Sequence, residues 1–390
     1  MQSGTCLEDI SKCVRCGGCK AHCPTYDEGL TEAMGARGRL TLLRGLLSEQ
    51  LTPTAALKER IYDCILCGAC EKLCPLHVDV TEAVYQGRKL LPASGSLRKW
   101  MAFFMRLSMK RPALSFRVAQ MMQHTVYPYL FRKGIVPFSL SVPQVPLKDD
   151  RQVYKPEKKV GRIALFTGCS TNYLFPHLGA SLINVLVRLG YEVVLPKGEV
   201  CCGAPFRSLG LEEEAVQLAK KNLDTFSKLN AEAVVSLCPT CVLSLKVHYP
   251  KLLGKELSNV MDVASFLSDR FGSSQLSPVR NLKTVAYHDP CHMIHSLDVT
   301  KEPRDLIRST GAELIDTGES GCCGFGGVYS MCYRNISRNL MEKRVGVYSA
   351  TEADAVITSC PGCMLQLGTG MKNKPVFHII ELLEEALCGA

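Results

Sequence analysis

The chain lacks any run of roughly 18 apolar residues that would span a bilayer as a helix. The run Met101-Ala102-Phe103-Phe104-Met105 is broken at once by Arg106. The start, Met1-Gln2-Ser3-Gly4-Thr5-Cys6, has neither a basic nor an apolar signal region, so the cysteines are expected to meet a reducing compartment and the location to be cytoplasmic. Acidic residues are missing between Glu82 and Asp149, where eleven Lys or Arg stand. That segment accounts for the net charge of +9, which excludes a general nucleic-acid binder and predicts one basic surface. No nucleotide fingerprint is present either: Gly324-Phe325-Gly326-Gly327 lacks the required spacing, and no nucleophile stands with a base. The chain is therefore expected to receive electrons rather than generate them.

What is abundant is cysteine, at 21 positions. A chain of 390 residues, enough for two or three domains, has no shortage of core for disulfides to offset. Metal or redox chemistry is the better reading. Residues 1–92 carry Cys13, Cys16, Cys19 and Cys23-Pro24, then Cys64, Cys67, Cys70 and Cys74-Pro75, two copies of C-x2-C-x2-C-x3-C-P. Three thiolates on one tight loop cap three irons of a cubane, and the fourth cysteine points to the other cluster. One [4Fe-4S] cluster is thus expected on Cys13, Cys16, Cys19 and Cys74, and a second on Cys64, Cys67, Cys70 and Cys23. Gly17, Gly18 and Gly68 let backbone amides approach the sulfides. Structural zinc is the rival, but it needs four thiolates rather than three in a row plus a prolyl fourth, twice. Apolar residues at Leu40, Leu43, Leu46 and Leu47 predict a helix over 37–47.

Residues 160–390 repeat internally. Cys169, Cys201, Cys202, Cys238 and Cys241 recur as Cys291, Cys322, Cys323, Cys360 and Cys363, at offsets of 122, 121, 121, 122 and 122. In each copy short apolar runs end just before cysteines (162–166, 193–195 and 233–237; 284–287 and 355–357), with a helical pattern at Leu182, Val185, Leu186 and Leu189. Strand–helix alternation predicts parallel sheets, with the cysteine groups converging at the carboxyl edge. The expected fold is α+β overall: a helical two-cluster ferredoxin-like domain (1–92), a basic aromatic connector (93–159), and a duplicated α/β cysteine-rich domain (160–278 and 279–390).

The connector is expected to form two short helices and an extended tail at Pro137, Pro143 and Pro146. Trp100, Phe103, Phe104 and Leu107 can share one helical face, with Arg98, Lys99 and Arg106 elsewhere. Together with Arg88, Lys89, Lys110, Arg111, Arg117, Arg132 and Lys133, and with Phe116, Tyr127, Tyr129 and Phe131, they suit a partner's acidic face or an anionic membrane surface; an ordinary solvated linker is the alternative. Cys6, Cys332 and Cys388 lie outside every motif and read as ordinary packing or surface residues. His288 and His292 flank Cys291 and read either as core histidines or as hydrogen-bond donors to a cluster.

The spacings C-x31-CC-x35-C-x2-C and C-x30-CC-x36-C-x2-C resemble the cysteine-rich CCG domain of heterodisulfide reductase subunits and of the iron–sulfur subunits of anaerobic glycerol-3-phosphate dehydrogenase and of glycolate or D-lactate oxidase. The dicluster segment is similar to the helical ferredoxin domains of respiratory dehydrogenases. By the heterodisulfide reductase resemblance, each five-cysteine set would hold a noncubane [4Fe-4S] cluster; one copy as a packing relic, or a redox dithiol at Cys201-Cys202, remains open. Gly35-Ala36-Arg37-Gly38-Arg39 is similar to the G-x-R-G-R stretch of glycolate and lactate oxidase iron–sulfur subunits. This resemblance implies an FAD-containing 2-hydroxyacid dehydrogenase subunit as partner, a quinone or electron-transfer protein as acceptor, and location in the cytoplasm or peripherally on the inner face of the membrane. Gly168-Cys169-Ser170-Thr171-Asn172-Tyr173 also resembles a stretch of the glycerol-3-phosphate dehydrogenase subunit. A disulfide reductase and an iron–sulfur sensor or scaffold are the remaining alternatives.

Overall fold

The structure, a computed structural model, describes residues 10–91, 95–110, 112–138, 141–148, 152–271, 276, 279, 282–318 and 321–389; Cys6 and the start of the chain lie outside them. The N-terminal part is helical. Helices Ala36–Leu47, Ala55–Tyr62 and Val80–Leu90 pack around Leu40, Leu43, Ile61 and Val84, and the eight motif cysteines hang on short loops about this core. Thr54 caps the second helix at the Leu57 amide, and Asp79 the third at the Glu82 amide, which fixes where each begins.

The connector differs from expectation. Three helices follow one another, Ser96–Lys110, Pro112–Met122 and Val126–Arg132, the second opened by a proline at its first turn. The first of them turns its aromatics outward: Trp100, Phe103 and Phe104 are more than half exposed, while Met101 and Ala102 pack on Leu209, with Met105, Val328 and Met331 alongside. Part of the positive charge between Glu82 and Asp149 is spent inside the molecule. Arg88 and Arg98 are buried, Arg98 pairing with Glu59, and Lys89 and Arg106 pair with Glu212 and Glu214.

Two sheets follow. The first has the order β1-β3-β2-β4-β5, from β1 (Val153–Tyr154), β2 (Gly161–Leu165), β3 (Tyr191–Val194), β4 (Ala233–Ser236) and β5 (Val260–Asp262); only β1 is antiparallel. The second, β7-β6-β8-β9, is all parallel, from β6 (Thr284–His288), β7 (Glu313–Ile315), β8 (Ala355–Thr358) and β9 (Val376–His378). The register Ile163↔Ala233 in the first sheet has its counterpart in Val285↔Ala355 of the second, so the duplication holds at the level of single residues.

The copies bury one common core. Helix Pro176–Arg188 packs on helix Ile379–Cys388, and Val263–Phe271 on Glu302–Ser309. Each contact joins an early helix of one copy to the last of the other, burying Leu182, Leu186, Phe266, Ile307 and Leu383 in one apolar cluster. This pairing brings the carboxyl edges of the sheets, and the cysteines on them, toward each other.

Candidate iron–sulfur sites

The two N-terminal loops share a backbone as well as a spacing. Arg15 (φ 60°) and Leu66 (φ 61°), then Gly17 (φ 87°) and Gly68 (φ 79°), occupy the left-handed region at matching places. Such alternation turns successive amides toward one concavity, the geometry that receives anionic sulfide. Gly68 is further constrained by packing, since a Cβ there would lie 2.8 Å from the Ser296 hydroxyl. One cavity is lined by Cys13, Cys16, Cys19, Cys70 and Cys74, and a second by Cys23, Cys64, Cys67 and Cys70. Cys74 therefore faces the first loop and Cys23 the second. Burial pushes the Cys67 and Cys70 thiols well up, and the neighbouring thiols add to it.

The stretch Gly35 to Arg39 braces both loops. Arg37 pairs with Glu32 at 2.6 Å and donates to the Arg15 carbonyl at 2.8 Å, holding the left-handed residue of the first loop. Arg39, fully buried, pairs with Asp63 at 2.5 Å and donates to Thr25 Oγ1 at 2.9 Å, and that hydroxyl is 3.4 Å from Cys23 Sγ. A buried cation is thus fixed beside Cys23 and Cys64. Gly38 leaves no room for a side chain, because a Cβ would sit 2.0 Å from the Glu32 carbonyl. Sequence reasoning used these residues only as a marker of resemblance.

In the first repeat, Cys201 contacts Cys169 and Cys202, Cys202 contacts Cys241, and Cys241 contacts Cys238. In the second, Cys291 contacts Cys322, Cys322 contacts Cys323, Cys323 Sγ lies 3.3 Å from Cys363 Sγ, and Cys363 contacts Cys360. Each five-cysteine set is gathered at its sheet's carboxyl edge. The sets also approach each other: Cys238 and Cys360 are electrostatic neighbours. Cys67 of the second N-terminal loop is a charge neighbour of Cys322 and Cys291. Cys332 instead packs against Met101, and Cys388 is exposed on the last helix.

Histidines join these groups. His292 bonds Thr240, between Cys238 and Cys241, at 2.9 Å, and the Leu66 carbonyl, next to Cys67, at 3.1 Å, so one ring ties three cysteine loops. His378 bonds the Leu237 carbonyl at 3.2 Å, beside Cys238. His288 is buried with its Nδ1 2.9 Å from Tyr348 Oη, while its Nε2 has no hydrogen-bond partner among the described residues. Ligand atoms of His288, Cys323 and Cys363 all lie within 4.8 Å of one another. Burial pushes this histidine down to about 4, so the ring is neutral at ordinary pH. No periodicity in the sequence signals His378 or the buried arginines; only tertiary packing brings them to the loops.

Four or five thiols converging in a buried space repel one another as thiolates, and bound cations relieve that repulsion. The two five-thiol groups exceed the four ligands of a zinc ion, and the two N-terminal groups, adjoining at Cys70 with three thiols on one tight loop plus a fourth from the other, fit iron–sulfur clusters.

Comparison with known proteins agrees. Residues 9–78 match the 4Fe-4S dicluster domain, and 163–246 and 285–368 each match the cysteine-rich domain. A subunit of the fumarate reductase (CoM/CoB) of Methanothermobacter marburgensis is 30% identical, over 96% of this chain and 72% of its own. The probable glycolate oxidase iron–sulfur subunit of Bacillus subtilis is 26% identical over 97% and 94%, and a subunit of the dihydromethanophenazine:CoB–CoM heterodisulfide reductase of Methanosarcina barkeri 27% over 98% and 95%. A hypothetical protein from Helicobacter pylori shares the fold, with a TM-score of 0.55 at 10% identity over 90% of this chain and 68% of that one. The chain belongs to the family of iron–sulfur subunits in which a 4Fe-4S dicluster domain precedes a duplicated CCG domain. Within that family it is an electron-transfer subunit related to those of glycolate oxidase and heterodisulfide reductase. Among the described residues no helix is long and apolar enough to cross a membrane.

Proposed function

We propose that this chain is the electron-transfer subunit of an FAD-dependent 2-hydroxyacid dehydrogenase, taking electrons from a flavoprotein that oxidises glycolate or D-lactate and passing them to a quinone or carrier. Bound clusters would supply one-electron uptake and release, and the protein supplies their spacing and surroundings. Cys13, Cys16, Cys19 and Cys74 would hold one [4Fe-4S] cubane, and Cys64, Cys67, Cys70 and Cys23 the second. Cys169, Cys201, Cys202, Cys238 and Cys241, and Cys291, Cys322, Cys323, Cys360 and Cys363, would hold two more clusters.

The observation that carries this reading is the unbroken succession of thiols. Cys70 lines both N-terminal cavities, Cys67 neighbours Cys322 and Cys291, and Cys360 neighbours Cys238. The cysteines of the second repeat therefore stand next to those of the dicluster part, and the cysteines of the first repeat follow them. Such a succession suits a conductor. The resemblance of the Gly35–Arg39 stretch to glycolate and lactate oxidase subunits favours the 2-hydroxyacid partner. The outward aromatic face of helix Ser96–Lys110 supports peripheral attachment to the membrane. A second reading, reduction of a small disulfide between the repeats, is favoured by the nearness of Cys238 and Cys360 alone.

Anaerobic purification from native cells tests the proposal. A flavoprotein with 2-hydroxyacid dehydrogenase activity should copurify, with about 16 Fe per copy of this chain at four irons per cluster. A firm value near 8 Fe would remove the repeat-domain clusters, and viologen-dependent cleavage of a small disulfide by the isolated chain would favour the second reading.

A further inference from the structure

A cleft of about 500 Å³, within the size range of small-molecule sites, opens where the dicluster part and both repeats meet, and no cysteine lines it. Its walls are the turn after Cys74, the segment Leu243 to Lys251 of the first repeat and His295-Ser296 of the second. Two π-helical turns, Ser244–His248 and Met293–Leu297, supply His248 and His295 to it. Such turns cost hydrogen-bond geometry and are found preferentially at functional sites.

The charged groups of the wall already have partners: Lys251 pairs with Asp79, Lys72 pairs with Asp298, and Glu71 accepts from the Thr81 amide. An ionic ligand thus meets charges that are engaged elsewhere. What remains is an apolar floor at Leu66, Val78, Tyr85 and Val247, edged by the neutral hydrogen-bonding groups of His248, His295 and Ser296. His248 is 6% exposed, and its Nδ1, buried behind the wall, has no hydrogen-bond partner among the described residues. The floor is also close to thiols: the Leu66 amide donates to Cys64 Sγ at 3.4 Å.

We propose that this cleft binds a quinone-type ring: flat, neutral, with carbonyl oxygens to receive the histidine and serine donors. The assignment rests on the electron-transfer reading above, in which a quinone is one candidate acceptor. Reduction of such a ring to the hydroquinone consumes two electrons, supplied by the 2-hydroxyacid oxidation of the complex, and two protons, drawn from water at the cleft mouth; both carbonyl oxygens end as hydroxyls.

The test is equilibrium binding of menadione to the anaerobically purified, iron-loaded full chain by titration calorimetry. Val247→Trp, which fills the cleft, should abolish binding. His295→Ala, at a half-buried site, removes one donor and should weaken it about 2- to 10-fold, the span of one neutral hydrogen bond. Iron content and cluster EPR signals of both variants should match the parent, which separates a blocked cleft from a misfolded chain. Unchanged affinity in His295→Ala and in an iron-replete Val247→Trp overturns the proposal, as does equal or tighter binding of a sulfonated naphthoquinone. If the chemically reduced chain transfers no electrons to ferricyanide, the electron-transfer reading itself falls. If ferricyanide is reduced while the variants bind menadione as the parent does, only the cleft assignment falls.

Discussion

The duplicated halves differ at a buried position next to their thiols. His288 stands 122 residues after Phe166, so the second repeat has a polar ring where the first has an apolar one. Tyr348 holds its Nδ1, its Nε2 has no hydrogen-bond partner among the described residues, and the ring stands beside Cys323 and Cys363. A neutral donor favours the more negative, reduced state of any cluster bound there, and so raises its potential. His288→Phe, which copies the first repeat, should lower that potential. One hydrogen bond of about 1 kcal/mol corresponds to roughly 40 mV for one electron. An EPR-monitored redox titration at unchanged iron content reads this, and a potential unmoved by the substitution would leave His288 a packing residue. Arg39 acts in the same sense on the dicluster side, as a buried cation between Asp63 and Thr25.

Among the elements, helix Ser96–Lys110 carries the proposed docking face. Its aromatic stripe stands in the open, where Trp100 stacks on Phe104 at 5.9 Å, while the opposite face, with Met101 and Ala102, is buried. The pattern identifies a face but does not say which side the fold covers. Exposed Lys99, and Arg117 on the next helix, remain as cations near this surface. The chain has a single tryptophan, so its fluorescence reports this helix alone. Vesicles containing anionic lipid at low salt should shift Trp100 emission to the blue, and purely zwitterionic vesicles should do so less. Lys99→Ala should weaken binding roughly fivefold, for about 1 kcal/mol per surface cation. Emission indifferent to both kinds of vesicle would assign the face to a protein partner.

For the whole molecule, the dicluster part is held to the repeats by buried charge. Arg207, five residues past Cys202, pairs with Glu82 at 2.5 Å, both nearly inaccessible, and its guanidinium lies over the Tyr85 ring. Arg88 donates to the carbonyls of Cys64 and Ser208, linking the second N-terminal loop to the turn after the paired cysteines. Removing one member of a buried pair costs about 3–5 kcal/mol, and Glu82→Ala should lower the denaturant midpoint accordingly. Burial raises the Glu82 pKa, but Arg207 outweighs it and the net direction is down. Its contribution is therefore present above the unfolded value of about 4.3 and lost as pH falls below it. A midpoint equally acid-sensitive in parent and Glu82→Ala would refute that coupling.

The sequence by itself determined the chemistry. Thiol spacing is covalent information, so the eight N-terminal cysteines, the two five-cysteine sets and the parallel strands that carry them were legible from spacing and alternation. Strand edges followed to within a residue or so, as at β2 and β8. The cavities that Cys23 and Cys74 face are those the motif spacing predicts, whereas tertiary structure alone decided that the second repeat's cysteines are the ones beside Cys67 and that Cys238 neighbours Cys360. Those are distances between segments far apart in the chain, set by the cross-packing of helices Pro176–Arg188 and Ile379–Cys388, and no local period encodes them. The buried partners His378, Arg39 and Arg207 belong to the same class. A polar residue declares its role only when the fold removes it from water and leaves it a partner to find.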